Sequence, residues 1–286
     1  MKPFLGIDLT FNKKNELQNG SELIVAKPSV TLTQAFESGS KKTEEMIKRT
    51  KLPLPLYFIR FFCSVVIFGI IDYILDCIIE NNAVFSVANK YIRLIILVAF
   101  VCIFIRLLLI NMSVKKEKAV LESDEYDYLL SNMDDIRSRI YAELSVPDNA
   151  EDVDILSFGY KAKGDKIKMR ETFFYSPTCT NTAFKAYVNS RNLYLVGLNA
   201  KYSIPLSSIR AIRTVNKSVS VMGWNKKEAY NKGIYKQYNI ICEDSVSFRF
   251  KPYCIVEFTY NNETWGIYIP CYELPVFEKL TGLQAQ

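Results

Sequence analysis

The chain has 286 residues, 49% of them hydrophobic, with 36 lysines and arginines against 30 acids and no histidine. The missing imidazole excludes Ser-His-Asp and Cys-His nucleophile systems and histidine-based zinc sites. The seven cysteines are odd in number and lack CxxC spacing, which argues for reduced, buried thiols in a cytosolic setting rather than a disulfide framework.

Residues 1–52 read as an N-terminal cytoplasmic segment. No short apolar run behind a charged head occurs in the first fifty residues, so no cleavable secretory signal is expected. A short extended piece at 21–26 follows the turn pair Asn19-Gly20, with little packing expected of it alone. Residues 31–50 are rich in Glu and Lys with few apolar positions and predict a solvated helix leading toward the membrane.

Residues 53–112 predict a transmembrane α-helical hairpin with spans at about 54–79 and 91–111. The first apolar run is long enough to cross a ~30 Å hydrocarbon core at 1.5 Å per residue. The second, 91–110, carries only Arg93 and Arg106, each near an end from which a long stem reaches the headgroups. Apolar residues cover every helical face, which argues against two buried helices of a water-soluble fold. Lys41, Lys42, Lys48, Arg49 and Lys51 precede the first run, Lys115, Lys116 and Lys118 follow the second, and Lys90 alone lies between them. That bias predicts a multi-pass cell-membrane protein with both termini cytoplasmic. Asp72 and Asp76 lie one helical turn apart, and folding the hairpin sets Asp76 opposite Arg93 as an ion pair within the membrane. A proton or cation path through Asp72 and Asp76, in a small oligomeric transport or channel component, is the alternative reading of the same acids.

Residues 113–164 predict an amphipathic helix and an acidic linker. Val120, Leu121, Tyr128, Leu129, Met133, Ile136, Ile140 and Leu144 recur at three-and-four spacing, and the stripe needs the following domain or a second copy as its partner. Pro147 and the acidic run 148–154 mark the linker.

From 165 to 286 the period changes to two, with strand-like segments at 170–176, 184–189, 192–197, 209–215, 236–242, 246–250, 253–260 and 264–269. Hairpin connections are expected at 189–192 and 261–263, and a short helix over 272–280 stopped by Gly282. About seven strands and one C-terminal helix predict a mainly β barrel capped by that helix.

The segment 202–212 (YSIPLSSIRAI) and the ending 265–282 (WGIYIPCYELPVFEKLTG) resemble the pleckstrin-homology-like domains of small bacterial two-span membrane proteins. The resemblance covers about residues 165–286 and the order of hairpin and domain. It implies a PH-like barrel on the cytoplasmic side, with binding or assembly at the membrane and no catalytic residues to carry over.

The candidate lipid or partner surface comprises Lys161, Lys163, Lys166, Lys168 and Arg170 ahead of the strands, and Trp224, Lys226, Lys227 and Tyr230 in the loop 221–234. Near an anionic leaflet each such cation adds about 1 kcal/mol of attraction. The same lysines also suit a solvated strand surface without a ligand, and Trp224 suits a core position beneath a loop. A second basic set runs through Arg210, Arg213, Lys217, Lys226, Lys227, Lys232 and Lys236. The glycines form neither a GxGxxG nor a GxxxxGK phosphate loop, and no catalytic, cofactor or metal-ligating set emerges. The partners expected are membrane lipid and a protein or a second copy of the chain, not nucleic acid.

Overall fold

The computed structural model describes residues 1–8, 16–17, 21–50, 53–79, 89–163, 166–169, 179–222, 232–242 and 247–286. The chain divides into two units, Gln34–Ile136 on one hand and Met1–Thr33 with Arg137–Gln286 on the other.

The first of these units is helical, built on α1 (Val30–Thr50), α2 (Leu54–Ile79), α3 (Asn89–Leu121) and α4 (Asp124–Glu143). Polar α1 matches the solvated helix expected there. Pro53 and Pro55 sit at the start of α2, where missing amide donors cost little. Helices α2 and α3 pack on one another, yet Phe61, Phe62, Phe68, Phe100 and Phe104 point outward and stay 60% or more exposed. Outward aromatics all round a helix pair are what hydrocarbon, not water, accommodates. Within α3, Leu97–Leu121 has the length and apolarity of a membrane span, with a mean hydropathy of 2.5. It is the one helix among the described residues to do so by itself. The described part of α2, Pro55–Ile71, falls short of a span's length alone and meets the criterion only together with α1. The structure thus gives one membrane-length helix where two spans were expected.

The single amphipathic helix expected over 113–144 is instead the tail of α3 and a separate α4. Ser123 causes the break: its backbone carbonyl and hydroxyl both accept from the Tyr126 amide, at 3.0 and 3.3 Å, and Asp124, Glu125 and Asp127 fill the first turn of α4. This is a serine N-cap with acids at the positive end of the helix dipole. Gly39 of α1 lets that helix lie close to α4, because a Cβ there would stand 3.0 Å from Met133 Cγ.

The other unit is mainly β. Its strands are β1 (Lys2–Pro3), β2 (Gly6–Asp8), β3 (Glu16–Leu17), β4 (Ile24–Ala26), β5 (Glu151–Lys163), β6 (Lys166–Met169), β7 (Cys179–Asn189), β8 (Asn192–Val196), β9 (Lys201–Pro205), β10 (Ile209–Val215), β11 (Val219–Met222), β12 (Ile240–Cys242), β13 (Ser247–Phe250), β14 (Tyr253–Tyr260) and β15 (Glu263–Pro270), followed by α5 (Leu274–Thr281). Strands β7 and β8 join through Ser190 and Arg191, and β14 and β15 through Asn261 and Asn262, all four at positive φ as two-residue hairpin turns demand. Gly282 stops α5 at φ 73°. These features match the sequence expectation. The expected strand at 170–176 lies outside the described residues.

The expected barrel is not observed. The described strands form two open sheets, one of four strands (β1-β15-β14-β10) and one of eleven that includes the antiparallel run β5-β7-β8-β9. Alternate residues from both, among them Val153, Ile155, Phe184, Leu193, Leu195, Val256, Phe258, Ile267 and Ile269, meet in one core that Phe277 of α5 completes. The period of two drives this arrangement by giving each strand one apolar face to bury. A second cluster, built on Phe248, Phe250, Val221 and Tyr272, covers Ile255 and Tyr268 on β14 and β15.

Three boundaries differ from expectation. The strand expected at 236–242 opens as turn and pairs only from Ile240 to Cys242. The acidic stretch read as a linker enters β5 at Glu151, where Val153 and Ile155 are buried between exposed Asp152 and the internally bonded Asp154. The N-terminal segment, from which little packing was expected, is built into this unit. Strand β1 pairs parallel with β15 (Lys2 opposite Trp265), β2 pairs parallel with β5 (Gly6 opposite Phe158), and β4 pairs with β9. Phe4, between β1 and β2, is fully buried with its ring 5.0 Å edge-on from Tyr202.

Candidate functional site

Strands β5 and β6 form a hairpin whose register sets Lys161 opposite Lys168 and Lys163 opposite Lys166. Directly opposed residues of an antiparallel pair share a face, and so do residues two apart on one strand. The four lysines therefore fall on one face of the ribbon by register, alternating with Tyr160, Ala162, Ile167 and Met169. Like charges directly opposed destabilise a hairpin, so this register carries an electrostatic cost. An anionic surface laid on that face would relieve it.

Arg170, Trp224, Lys226, Lys227 and Tyr230 lie outside the described residues. Asp72 and Asp76 fall in α2 and Arg93 in α3, and their side chains lie outside the described residues as well. In the second basic set, Arg210 is exposed, whereas Arg213 pairs with the mostly buried carboxylate of Glu257 through both Nε and a terminal guanidinium nitrogen. Arg213 is thereby a neutralised strand pair rather than a free cation.

Cys254 and Cys271 behave as core residues. Cys254 is fully buried and Cys271 6% exposed, in different clusters. Desolvation pushes the Cys271 thiol up to about 11 and raises that of Cys254, so neither is a nucleophile near neutral pH. Among the described residues no group of three or more Cys, Asp or Glu is arranged to hold a metal ion.

Sequence reasoning passed over two polar constellations. Asp154 and Glu273 are each 1% exposed; the Asp154 amide donates to Glu273 Oε1 at 3.0 Å, and the Tyr272 hydroxyl donates to Asp154 Oδ2 at 2.9 Å. The Lys201 ammonium lies over the stacked rings of Tyr187 and Tyr194. The strand period gave no signal for the first, because Asp154 interrupts the expected polarity, or for the second, which depends on how β7, β8 and β9 are paired. No family model, curated protein or solved structure matches this chain.

Proposed function

We propose that this chain is a membrane-anchored, non-enzymatic interaction module whose pleckstrin-homology-like domain lies on the cytoplasmic side and takes anionic lipid or a protein partner there. The antiparallel run β5-β7-β8-β9, the three-stranded run β10-β14-β15 and the closing helix α5 support the resemblance to that domain type.

One observation carries the anchoring. Met1–Thr33 and Arg137–Gln286 build a single unit, and all the long apolar helices lie between them in sequence. A chain that leaves and re-enters the same folded unit crosses a bilayer an even number of times. With α3 as one span, α2 is the natural second, which makes the pair a hairpin. The lysine bias beside the spans favours the cytoplasm for the folded unit. At that face the ladder Lys161, Lys163, Lys166 and Lys168 has a leaflet of opposite charge within reach of its tether.

The test uses the full chain in nanodiscs of phosphatidylcholine alone or with phosphatidylglycerol added. Amide hydrogen exchange over residues 160–169 is expected to slow when the anionic lipid is present and to return toward its original rate in high salt. Equal exchange in both nanodiscs would remove lipid contact from the proposal. If, in addition, site-specific cross-linkers on Lys161 or Lys168 captured no neighbouring chain in native membranes, the interaction reading would fail altogether.

A further inference from the structure

At the base of α4 the mainly β unit holds an open cavity of about 540 Å³, a size suited to a small organic ligand. Its lining includes Ser145 and Asn149 from the chain that leaves α4, and Tyr187, Asn189 and Tyr194 from the β7-β8 hairpin. Two cations, Lys201 and Lys279, stand on the lining beside a single acid, Glu151.

The two lysines are not equivalent. Lys279 is paired with Glu151 at 2.7 Å. Lys201 is half-buried, and its Nζ donates to the Leu144 carbonyl at 2.8 Å and lies 5.6 and 5.1 Å from the ring centroids of Tyr187 and Tyr194. A carbonyl at a helix C-terminus and two aromatic faces attract a cation, but none carries a full negative charge. Among the described residues no carboxylate pairs with Lys201 within salt-bridge distance. A partly desolvated ammonium without a counter-charge draws an anion into the space it faces. The side-chain amides of Asn149 and Asn189 and the Ser145 hydroxyl add neutral donors on the same lining, while Pro147, Val188 and Leu280 supply apolar wall for the body of a ligand.

From this we infer that the cavity is a binding site for a phosphomonoester, with the phosphate head at Lys201 and the asparagines and a compact organic body against the apolar wall. The site is separate from the lysine ladder and does not depend on it. Phosphate suits the lining because its several acceptor oxygens engage several donors at once. The head can belong to a free metabolite or to a lipid such as phosphatidic acid, and the experiment separates the two.

Full-length protein in phosphatidylcholine nanodiscs is titrated with phenyl phosphate, and binding is followed by calorimetry. Saturable binding with a Kd of about 1 mM or tighter is expected. Lys201→Met keeps the apolar stem and removes the charge, and is expected to weaken binding about tenfold or more. Asn189→Asp should weaken it comparably by placing a negative charge on the lining. Asn189 is exposed, and the oxygen that accepts from Ser190 Oγ at 3.1 Å is retained in the aspartate, so this variant leaves the fold intact. Lys236→Met, away from the cavity, should bind as the parent does. Competition by phosphatidic acid in the nanodisc, lost in Asn189→Asp, would identify a lipid source; binding unaffected by phosphatidic acid would identify a free one. No saturable binding of either probe, or unchanged affinity in both Lys201→Met and Asn189→Asp, overturns the inference.

Discussion

The buried acids Asp154 and Glu273 each accept a hydrogen bond from a neutral donor. The Tyr272 hydroxyl donates a hydrogen bond to Asp154 and the Asp154 backbone amide donates one to Glu273, so the β5 strand and the turn after β15 satisfy one another's polar atoms inside the fold. Removing one donor leaves a buried oxygen with less compensation, which costs about 1–3 kcal/mol. Tyr272→Phe is therefore expected to lower the thermal midpoint of the β unit, read by near-UV circular dichroism, while leaving the helical far-UV signal in place; an unchanged midpoint would mean water serves Asp154 instead. The thiol of Cys271 sets a second residue-level expectation. Its folded value, pushed up to about 11 by desolvation, lies above the ordinary 9.0 that the unfolded chain retains. The unfolded state thus loses its proton first as pH rises, so the contribution to stability is whole below about pH 9 and is lost between about pH 9 and 11. Burial raises Tyr268 to about 12 and extends the same slope further upward. A denaturation midpoint that falls across this window, and falls less in Cys271→Ala, is the expected result.

At the scale of elements, the strongest departure from the sequence reading is the first eight residues. Period-two patterning made most of the C-terminal strands legible, and the turn asparagines located two hairpins, because those signals are local. Strands β1 and β2 gave no such signal: each is two or three residues long, and they pair with partners about 150 and 260 positions away. Their meaning appears only when β15 and β5 present the two edges they join. The lysine ladder was visible as composition but not as a ladder, since its pairing depends on the β5-β6 register. Likewise the acidic run 148–154 looked like a linker because charge was weighed over alternation, although Val153 and Ile155 carry the strand period. Phe4 is the residue through which this N-terminal strap acts, with its ring against Tyr202 and Phe184. Truncating a fully buried phenylalanine costs about 3–5 kcal/mol. Phe4→Ala is expected to make β15 and β5 amides exchange faster and to open the unit to protease; exchange rates matching the parent would show that the strap is an accessory rather than part of the core.

For the whole molecule, the consequence of that strap is topological. On the proposed anchoring, a unit made from both ends of the chain closes only once β15 has been synthesised, so insertion would precede closure of the domain. Insertion would then have to deliver residues 1–33 and 137–286 to the same compartment for Phe4 to reach its pocket. Short epitope tags placed before Met1 and after Gln286, and a third inserted within 81–88, turn this into a measurement. In right-side-out and inverted vesicles the two terminal tags are expected to be accessible together, on the face opposite to the third. Terminal tags on opposite faces would leave one span and would be incompatible with the pairing of β1 and β15; all three on one face would make the apolar helices a surface-lying pair and overturn the spanning anchor.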